Sequence, residues 1–131
     1  MTGPAPGLAA DITHLVGVVD TATALGSGDV PVLATPRLIA LAEAATVAAV
    51  AGTLPANTTS VGTRVELEHL AASPVGARVS VRAELVGVDG RLLRFEVVAE
   101  HSDGRVIARG RISRIVVDRS GFLRRSDVPE T

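Results

Sequence analysis

Hydrophobic and polar positions follow two different periods along the chain, one typical of a helix and one typical of strands. Residues 38–51 are apolar at every position but two, and one of the two exceptions is Glu43. Just before this run, Thr35 can cap a helix through its hydroxyl, and Pro36 lacks the amide that would otherwise stay unpaired. Just after it, Gly52 is a typical stop signal. The pattern predicts a helix over 35–51 that is apolar on all sides and must therefore be covered.

Glu43 is the one residue whose presence the apolar helix does not explain. We expect its side chain to be largely buried, and a buried carboxylate is costly unless it is paired, hydrogen-bonded or protonated. One interpretation is a catalytic acid or base whose pKa is adjusted by its surroundings. The other is a glutamate that reaches the protein rim or pairs with an arginine. The helix alone does not decide between them.

Alternating apolar and polar residues predict four long antiparallel strands after residue 58, and His69 falls on the apolar face of the first. Asp89-Gly90 is typical of a tight hairpin turn, and Gly110 predicts a bulge or a close backbone approach in the last strand. A β-branched stretch before the helix predicts one further strand. The predicted strands are 12–20, 61–70, 78–85, 93–101 and 106–118.

These elements account for a single domain over residues 1–131, with its core at about 10–118. Prolines and glycines in residues 1–9 predict a loose lead-in, and the charged residues 119–131 predict a loose tail. One strand, one long helix and four antiparallel strands form an α+β fold. Because the helix is apolar all round, the sheet must curve around it and a second subunit must complete the cover.

Composition excludes several classes of function. The chain has no cysteine and no lysine, which excludes thiol nucleophiles, disulfides, Schiff-base chemistry and a P-loop. A net charge of −1 gives no general attraction for nucleic acid or an anionic membrane. His14, interpreted as structural, His69 and His101 lack the spacing of zinc ligands, so no metal is expected. Without a secretory signal or an 18-residue apolar run, we expect a cytoplasmic protein.

Several short motifs lie at defined spacings along the chain. They are Val32-Leu33-Ala34-Thr35, Glu43 eight residues after that threonine, Val61-Gly62-Thr63, His69 six residues after Thr63, and Ala71-Ala72-Ser73-Pro74-Val75-Gly76. In this combination the chain resembles the fluoroacetyl-CoA thioesterase family, which has the hotdog fold, over about residues 10–118. The resemblance implies that Thr35, Glu43 and His69 form the catalytic group and that Gly62 lies near the acyl group.

The resemblance also implies an acyl-CoA thioesterase that hydrolyses a small or medium acyl thioester, with coenzyme A as part of the substrate and no separate cofactor. It implies a homodimer, and such dimers could pair further. In similar proteins the CoA nucleotide lies near the dimer seam, where Arg64, Arg78 and Arg82 on the outer sheet face could meet its phosphates. Alternatively, these arginines are simply solvated. Residues 26–31 lack the aromatic lid of the family's named enzyme, so fluoroacetyl specificity is not expected.

Each member of the catalytic group has a role in this hypothesis. Glu43 would activate water as a general base or attack the thioester directly. His69 would orient that carboxylate or carry a proton, and Thr35 would donate a hydrogen bond. Because eight helical residues separate Thr35 from Glu43 by about 12 Å, we expect the group to assemble across a dimer interface. On the alternative interpretation, Thr35 is only a cap and His69 is only a core histidine.

Two other functions fit the same fold. The main alternative is a module that binds acyl-CoA or another apolar ligand without turnover. A hotdog dehydratase or hydratase is less favoured, because the predicted helix contains no histidine. The sequence leaves open the identity of the acyl chain and the choice between coenzyme A and a carrier protein.

Overall fold

The computed structural model describes residues 3–127 and shows one antiparallel sheet with a long helix against it. Three α-helices accompany five strands in this part of the chain. The elements are β1 Ala9–Leu15, α1 Ala22–Leu25, α2 Thr35–Ala49, β2 Thr58–His69, β3 Arg78–Asp89, β4 Leu92–His101, β5 Val106–Asp118 and α3 Arg119–Arg125. The α+β hotdog arrangement predicted from the sequence is confirmed.

The sheet has the strand order β1-β3-β4-β5-β2, so β1 and β2 form its two edges. Every neighbouring pair is antiparallel, and alternating residues of β3 and β4 point toward α2 or toward solvent. The core lies between α2 and this inner face. Its largest fully buried members are Phe95, Leu33, Leu38, Leu85, Leu93, Ile107 and Ile112.

Only one side of α2 is covered within a single chain. Leu38, Leu41, Ala42 and Ala45 are buried against the sheet, as the apolar pattern requires. The opposite side is exposed, although its residues are also apolar: Ala40, Ala44, Val47 and Ala48. These four positions recur at helical spacing and form one stripe along α2. We expect the sheet of the chain and a second subunit to cover α2 together. For this exposed stripe, coverage by a second subunit stays a prediction.

The first predicted strand, over 12–20, is wrong in its bounds. β1 ends at Leu15, and Val18–Asp20 forms a 3-10 turn instead. The carboxylate of Asp20 accepts a hydrogen bond from the Gly17 amide at 2.7 Å, which closes the chain into a turn where an extended strand was expected. His14, which had no partner evident in the sequence, contacts the same carboxylate through Nε2 at 2.8 Å.

The prediction of a loose tail needs correction for residues 119–125, which form α3. The carboxylate of Asp118 accepts a hydrogen bond from the Gly121 amide at 2.7 Å and so caps this helix. Residues 128–131 of the predicted tail and residues 1–2 of the predicted lead-in lie outside the described residues.

The close backbone approach predicted at Gly110 is present, since a β-carbon there would overlap the Glu66 carbonyl. A bulge lies elsewhere, in β2 between Gly62 and Arg64, where Thr63 interrupts the pairing with β5. The bulge changes the direction of the edge strand next to the residues that concern the candidate site.

Candidate active site

Thr35 and His69 form the first of two side-chain clusters. The Thr35 hydroxyl and Nδ1 of His69 share a hydrogen bond of 2.8 Å. Thr35 is the first residue of α2 and Ala34 holds the cap position, so the prediction of a Thr35 cap is wrong. The reason is geometric: the hydroxyl faces the end of β2, where His69 offers a ring nitrogen. The sequence-predicted pair is thus brought together.

His69 sits in an environment that favours the neutral imidazole. Burial lowers its pKa below the ordinary value of 6.5, and the nearby Ala71 backbone opposes this shift only in part. Its Nε2 atom is buried without a hydrogen-bond partner among the described residues. A buried nitrogen left unsatisfied costs about 1–3 kcal/mol. The imidazole is therefore suited to receive a partner that the isolated chain does not supply.

A groove of about 350 Å³ opens beside this pair. It runs between the loop before α2 and the segment after β2, and its walls are mostly aliphatic or small. Six of its lining residues are Ala22, Val30, Val32, Leu33, Leu70 and Ala72. This volume is at the lower end of the range for ligand pockets.

Glu43 belongs to a second cluster, with Gly62 and Arg114. Its carboxylate lies directly over Gly62, where an added β-carbon would stand only 2.5 Å from Oε2. Nη1 of Arg114 is 3.6 Å from the same oxygen. The Glu43 side chain is 39% exposed, so the expectation of a largely buried carboxylate is wrong for a single chain. The cause is the uncovered stripe of α2 beside it.

Arg114 is a site residue that the sequence analysis missed. It is 7% exposed, and its Nε and Nη2 donate to the hydroxyl and the carbonyl of Ser60 at 2.8 and 2.9 Å. Burial lowers the pKa of Arg114 and the Glu43 carboxylate opposes that shift; a guanidinium stays charged in proteins. A signal existed in the sequence: the alternation of β5 places residue 114 on the same inner face as Ile112.

The two clusters lie toward opposite ends of β2. Gly62 and His69 are seven residues apart, which corresponds to about 23 Å along an extended strand. On α2, Thr35 and Glu43 are separated by about 12 Å along the axis. A glutamate side chain spans only a few ångströms, so Glu43 cannot contact His69 of its own chain. The structure therefore brings together two of the three predicted catalytic residues and leaves the third apart.

The three arginines predicted to meet CoA phosphates do not form one cluster. Arg64 is on the edge strand β2 and pairs with Glu66 at 2.6 Å, while Arg82 is on β3 and pairs with Asp11 at 3.0 Å. Arg78 is exposed at the start of β3. Two strands, β4 and β5, separate Arg64 from the other two. All three lie on the outer face of the sheet, so their role stays a prediction.

A larger groove of about 870 Å³ lies on this outer face. Alternating glutamates and arginines line it, among them Glu66, Glu96, Arg109 and Arg111. It contains neither of the two clusters described above. Since these charges neutralise one another and face solvent, its size alone does not make it a site.

A second pairing of hydroxyl and imidazole occurs between Ser73 and His101, whose Oγ and Nε2 are 2.8 Å apart. Arg105 approaches Nδ1 of this histidine at 3.2 Å, and an arginine can only donate. Nδ1 must then accept, which places the proton of the neutral ring on Nε2. Such a ring donates to the serine and cannot remove its proton, so the pair is structural. Among residues 3–127 no group of three or more His, Asp or Glu could hold a metal ion.

Comparison with known proteins identifies the family of this chain. The model of the family described as "FlK: Fluoroacetyl-CoA-specific thioesterase" matches residues 16–120. A fluoroacetyl-CoA thioesterase of Streptantibioticus cattleyicolor is 38% identical over 91 residues, which cover 70% of this chain and 65% of that enzyme. The match thus spans just under two thirds of that relative's length.

Solved structures extend the similarity to nearly the whole chain. A structure of the fluoroacetyl-CoA thioesterase FlK has a TM-score of 0.88 at 30% identity, covering 97% of this chain and 99% of that chain. A mutant of the same enzyme in complex with fluoroacetate and CoA has a TM-score of 0.83 at 31% identity, covering 91% and 99%. A thioesterase superfamily member of Thermus thermophilus has a TM-score of 0.86 at 26% identity, covering 95% and 94%. The chain belongs to the fluoroacetyl-CoA-specific thioesterase family and shares its hotdog fold.

Proposed function

We propose that this chain hydrolyses acyl-CoA thioesters in a site shared by two copies of itself. One copy contributes Glu43, Gly62 and Arg114, and the other contributes Thr35 and His69. The observation that carries this proposal is the separation of the two clusters toward opposite ends of the edge strand β2. Family membership supports the reaction class, and the names of its relatives support a CoA thioester as substrate.

An antiparallel pairing of β2 with its own copy would unite the clusters. If Glu66 of one strand faces Glu66 of the other, Val65 faces Leu67 on the inner face, and with Thr63 skipped as in the pairing with β5, Gly62 of each strand would face the partner's His69. The edge of β2 has no strand beside it in the described part of the chain, and an unpaired edge readily accepts another strand. Two-fold symmetry would produce two identical sites.

The same arrangement would cover the exposed stripe of α2. Ala40, Ala44 and Ala48 are small enough to let two helices approach closely, and Val47 provides additional apolar area. Covering this stripe would also reduce the exposure of Glu43, which lies beside it. The homodimer therefore accounts for an apolar surface and for an incomplete site at once.

The chemistry follows from the residues that meet in this shared site. Arg114 lies beside the Glu43 carboxylate, and the lack of a side chain at Gly62 leaves room for that carboxylate, with the acyl carbon approaching next to it. Glu43 takes a proton from water as the water oxygen attacks the thioester carbonyl, or the carboxylate itself attacks to give an anhydride that water then opens. The C–S bond breaks and the CoA thiolate leaves. The partner's Thr35 and His69 hold the carbonyl oxygen and manage the proton.

Release of free thiol from a panel of acyl-CoA esters tests the proposed reaction. The chain has no cysteine, so a thiol-reactive dye reports only the product. We expect turnover by the wild type and a loss of about a thousandfold in kcat for Glu43→Gln. Glu84→Gln, at an exposed glutamate on the outer face of β3 and away from the edge strand β2, is the matched control and should retain full activity. Tight acyl-CoA binding with no thiol release by the wild type would instead support the binding module.

Location and further assembly remain predictions. No helix among the described residues is long and apolar enough to cross a membrane. The cytoplasm stays the predicted location. A pairing of two dimers also stays a prediction, and such an assembly would have to accommodate the charged side chains on the outer face of the sheet.

A further inference from the structure

We infer that the groove beside Thr35 and His69 holds the acyl chain of the substrate, and that this chain is saturated and of medium length, about six carbons. The inference rests on the proposed thioesterase function and adds the substrate class. It departs from the two-carbon fluoroacetyl group after which the family is named. Four features of the groove support it: the chemistry of its walls, its width, its rigidity and its position.

The walls of the groove offer almost no hydrogen-bonding side chains. Val30, Val32, Leu33 and Leu70 give it an aliphatic surface, and no charged side chain lines it. Of its polar side chains, Thr35 and His69 already share a hydrogen bond. The pantetheine arm of coenzyme A carries two amides, and beyond Ser27 and Nε2 of His69 the groove has no free polar side chain to replace the water that they would lose. An alkyl chain loses nothing by leaving water and is the better occupant.

The groove is also wide for its position in the fold. Small residues at Ala22, Gly28 and Ala72 leave room between its walls. The only two phenylalanines of the chain lie elsewhere, since Phe95 is buried in the core and Phe122 is on α3. No aromatic ring therefore narrows the groove. A volume of about 350 Å³ far exceeds what a two-carbon acyl group fills.

Main-chain hydrogen bonds fix the walls. The Ala22 amide donates to the Val32 carbonyl at 2.9 Å, and the Leu33 amide donates to the Ser73 carbonyl at 2.8 Å. The first bond closes the loop before α2 on itself, and the second ties that loop to the segment after β2, the other side of the groove. A groove held in this way is pre-formed, so a chain that fits it need not order the protein on binding.

The position of the groove relates it to the reacting carbonyl. His69 lies at its end and presents an unpartnered buried Nε2. Val30 and Leu70, both about half exposed, keep apolar surface open to solvent at the rim. A thioester whose carbonyl lies beside His69 can thus extend its alkyl chain over Val30 and Leu70 and remove their apolar surface from water.

The first test is a chain-length profile of kcat/KM with acetyl-, butanoyl-, hexanoyl- and octanoyl-CoA. Each methylene buried in the groove should raise kcat/KM about fourfold, so hexanoyl-CoA should exceed acetyl-CoA by about two orders of magnitude. A flat or falling profile would overturn this inference and leave the thioesterase proposal intact. Failure to hydrolyse any of the four esters would instead defeat the thioesterase proposal itself.

The second test fills the groove. Ala72→Phe should lower the ratio of kcat/KM for hexanoyl-CoA to that for acetyl-CoA at least tenfold. Ala5→Phe, at an exposed alanine near the opposite edge of the sheet, should leave the ratio unchanged. If Ala72→Phe lowers both values equally, the groove holds the pantetheine arm and the inference fails. Leu70→Ala provides a check that does not depend on accommodating a larger side chain, and it should lower the ratio about fivefold by removing alkyl contact.

Discussion

The two ends of β2 present opposite environments to a substrate. Around His69 the surroundings are aliphatic, burial lowers the pKa of the imidazole, and its partner is an uncharged hydroxyl. Around Gly62 a carboxylate and a guanidinium lie 3.6 Å apart at the uncovered side of α2. In the proposed mechanism neither end is sufficient for hydrolysis. One lacks a carboxylate to act as base or nucleophile, and the other lacks a pocket for the acyl group.

This contrast explains why a hotdog chain would need its own copy. A charged base beside an aliphatic pocket would have to be buried at a cost in free energy if both belonged to one continuous core. Because the base and the pocket lie at different positions along the edge strand β2, each chain can fold with the ion pair of Glu43 and Arg114 near its surface. Association then brings the charged end of one chain to the apolar end of the other.

After Glu43→Gln, the largest effect on the charged end should come from Gly62→Ala. The new β-carbon would stand 2.5 Å from Oε2 of Glu43, so the carboxylate must move. A displacement of this kind costs about a hundredfold in kcat, while stability should barely change, because Gly62 is exposed. Gly3→Ala, which has nothing within 4 Å, is the control. Wild-type kcat in Gly62→Ala would show that Glu43 does not act from this position.

Arg114→Met should impair the charged end of β2, around Gly62, in a second way. The variant removes two hydrogen bonds to Ser60 and the cation beside Glu43, so we expect a loss of about 2 kcal/mol in the free energy of unfolding. We also expect a loss of about thirtyfold in kcat, because the carboxylate loses its anchor. Arg114→Lys keeps the charge and should recover part of the activity. Urea unfolding measures the change in stability, and thiol release measures the change in kcat. An unchanged kcat in Arg114→Met would show that Arg114 does not contribute to the active site.

A smaller effect is expected at the apolar end from Thr35→Val. The substitution preserves the shape of the side chain and removes the hydroxyl that shares a hydrogen bond with His69. We expect kcat/KM to fall about tenfold, the upper range for one hydrogen bond. Thr13→Val, on the opposite edge strand, should have no effect on turnover. Equal activity of the two variants would show that Thr35 has no role in catalysis and is only a residue of α2.

The smallest effect should be a change in how stability depends on pH, in Asp20→Asn. Burial opposes ionisation of Asp20, but hydrogen bonds from Gly17, Arg37 and His14 outweigh it and lower the pKa of this carboxyl to about 2. Because the folded pKa lies below the ordinary value of 3.8, this carboxylate stabilises the fold above pH 3.8 and loses that contribution as pH falls toward 2. Urea unfolding at pH 7 and pH 3 should therefore differ less in Asp20→Asn than in the wild type. An unchanged difference would contradict the ionic role of Asp20.

The sequence predicts the parts of this molecule that depend on local pattern. The long apolar helix and the four later strands follow from hydrophobic periodicity, and Gly110 follows from its position inside a strand. It does not predict contacts that depend on register between distant strands. The ion pair of Glu43 with Arg114 needs β2 and β5 in a defined register, and no local pattern encodes it.

Side-chain competition explains the remaining differences. Thr35 has the sequence context of a cap, but a ring nitrogen of His69 takes its hydroxyl. The stretch 12–20 is β-branched, but Asp20 closes it into a turn by accepting from the Gly17 amide. In each case a long-range or side-chain hydrogen bond overrides a local preference.

Mixed dimers test the shared site most directly. Glu43→Gln and His69→Ala chains, each inactive alone, would be unfolded together and refolded in equal amounts. If the site is shared, every mixed dimer has one intact site and one doubly altered site. Half of the dimers are mixed, so about a quarter of wild-type activity should return. No recovery, with mixed dimers shown to form by native mass spectrometry, would contradict the account, because a site contained in one chain cannot be restored by a partner.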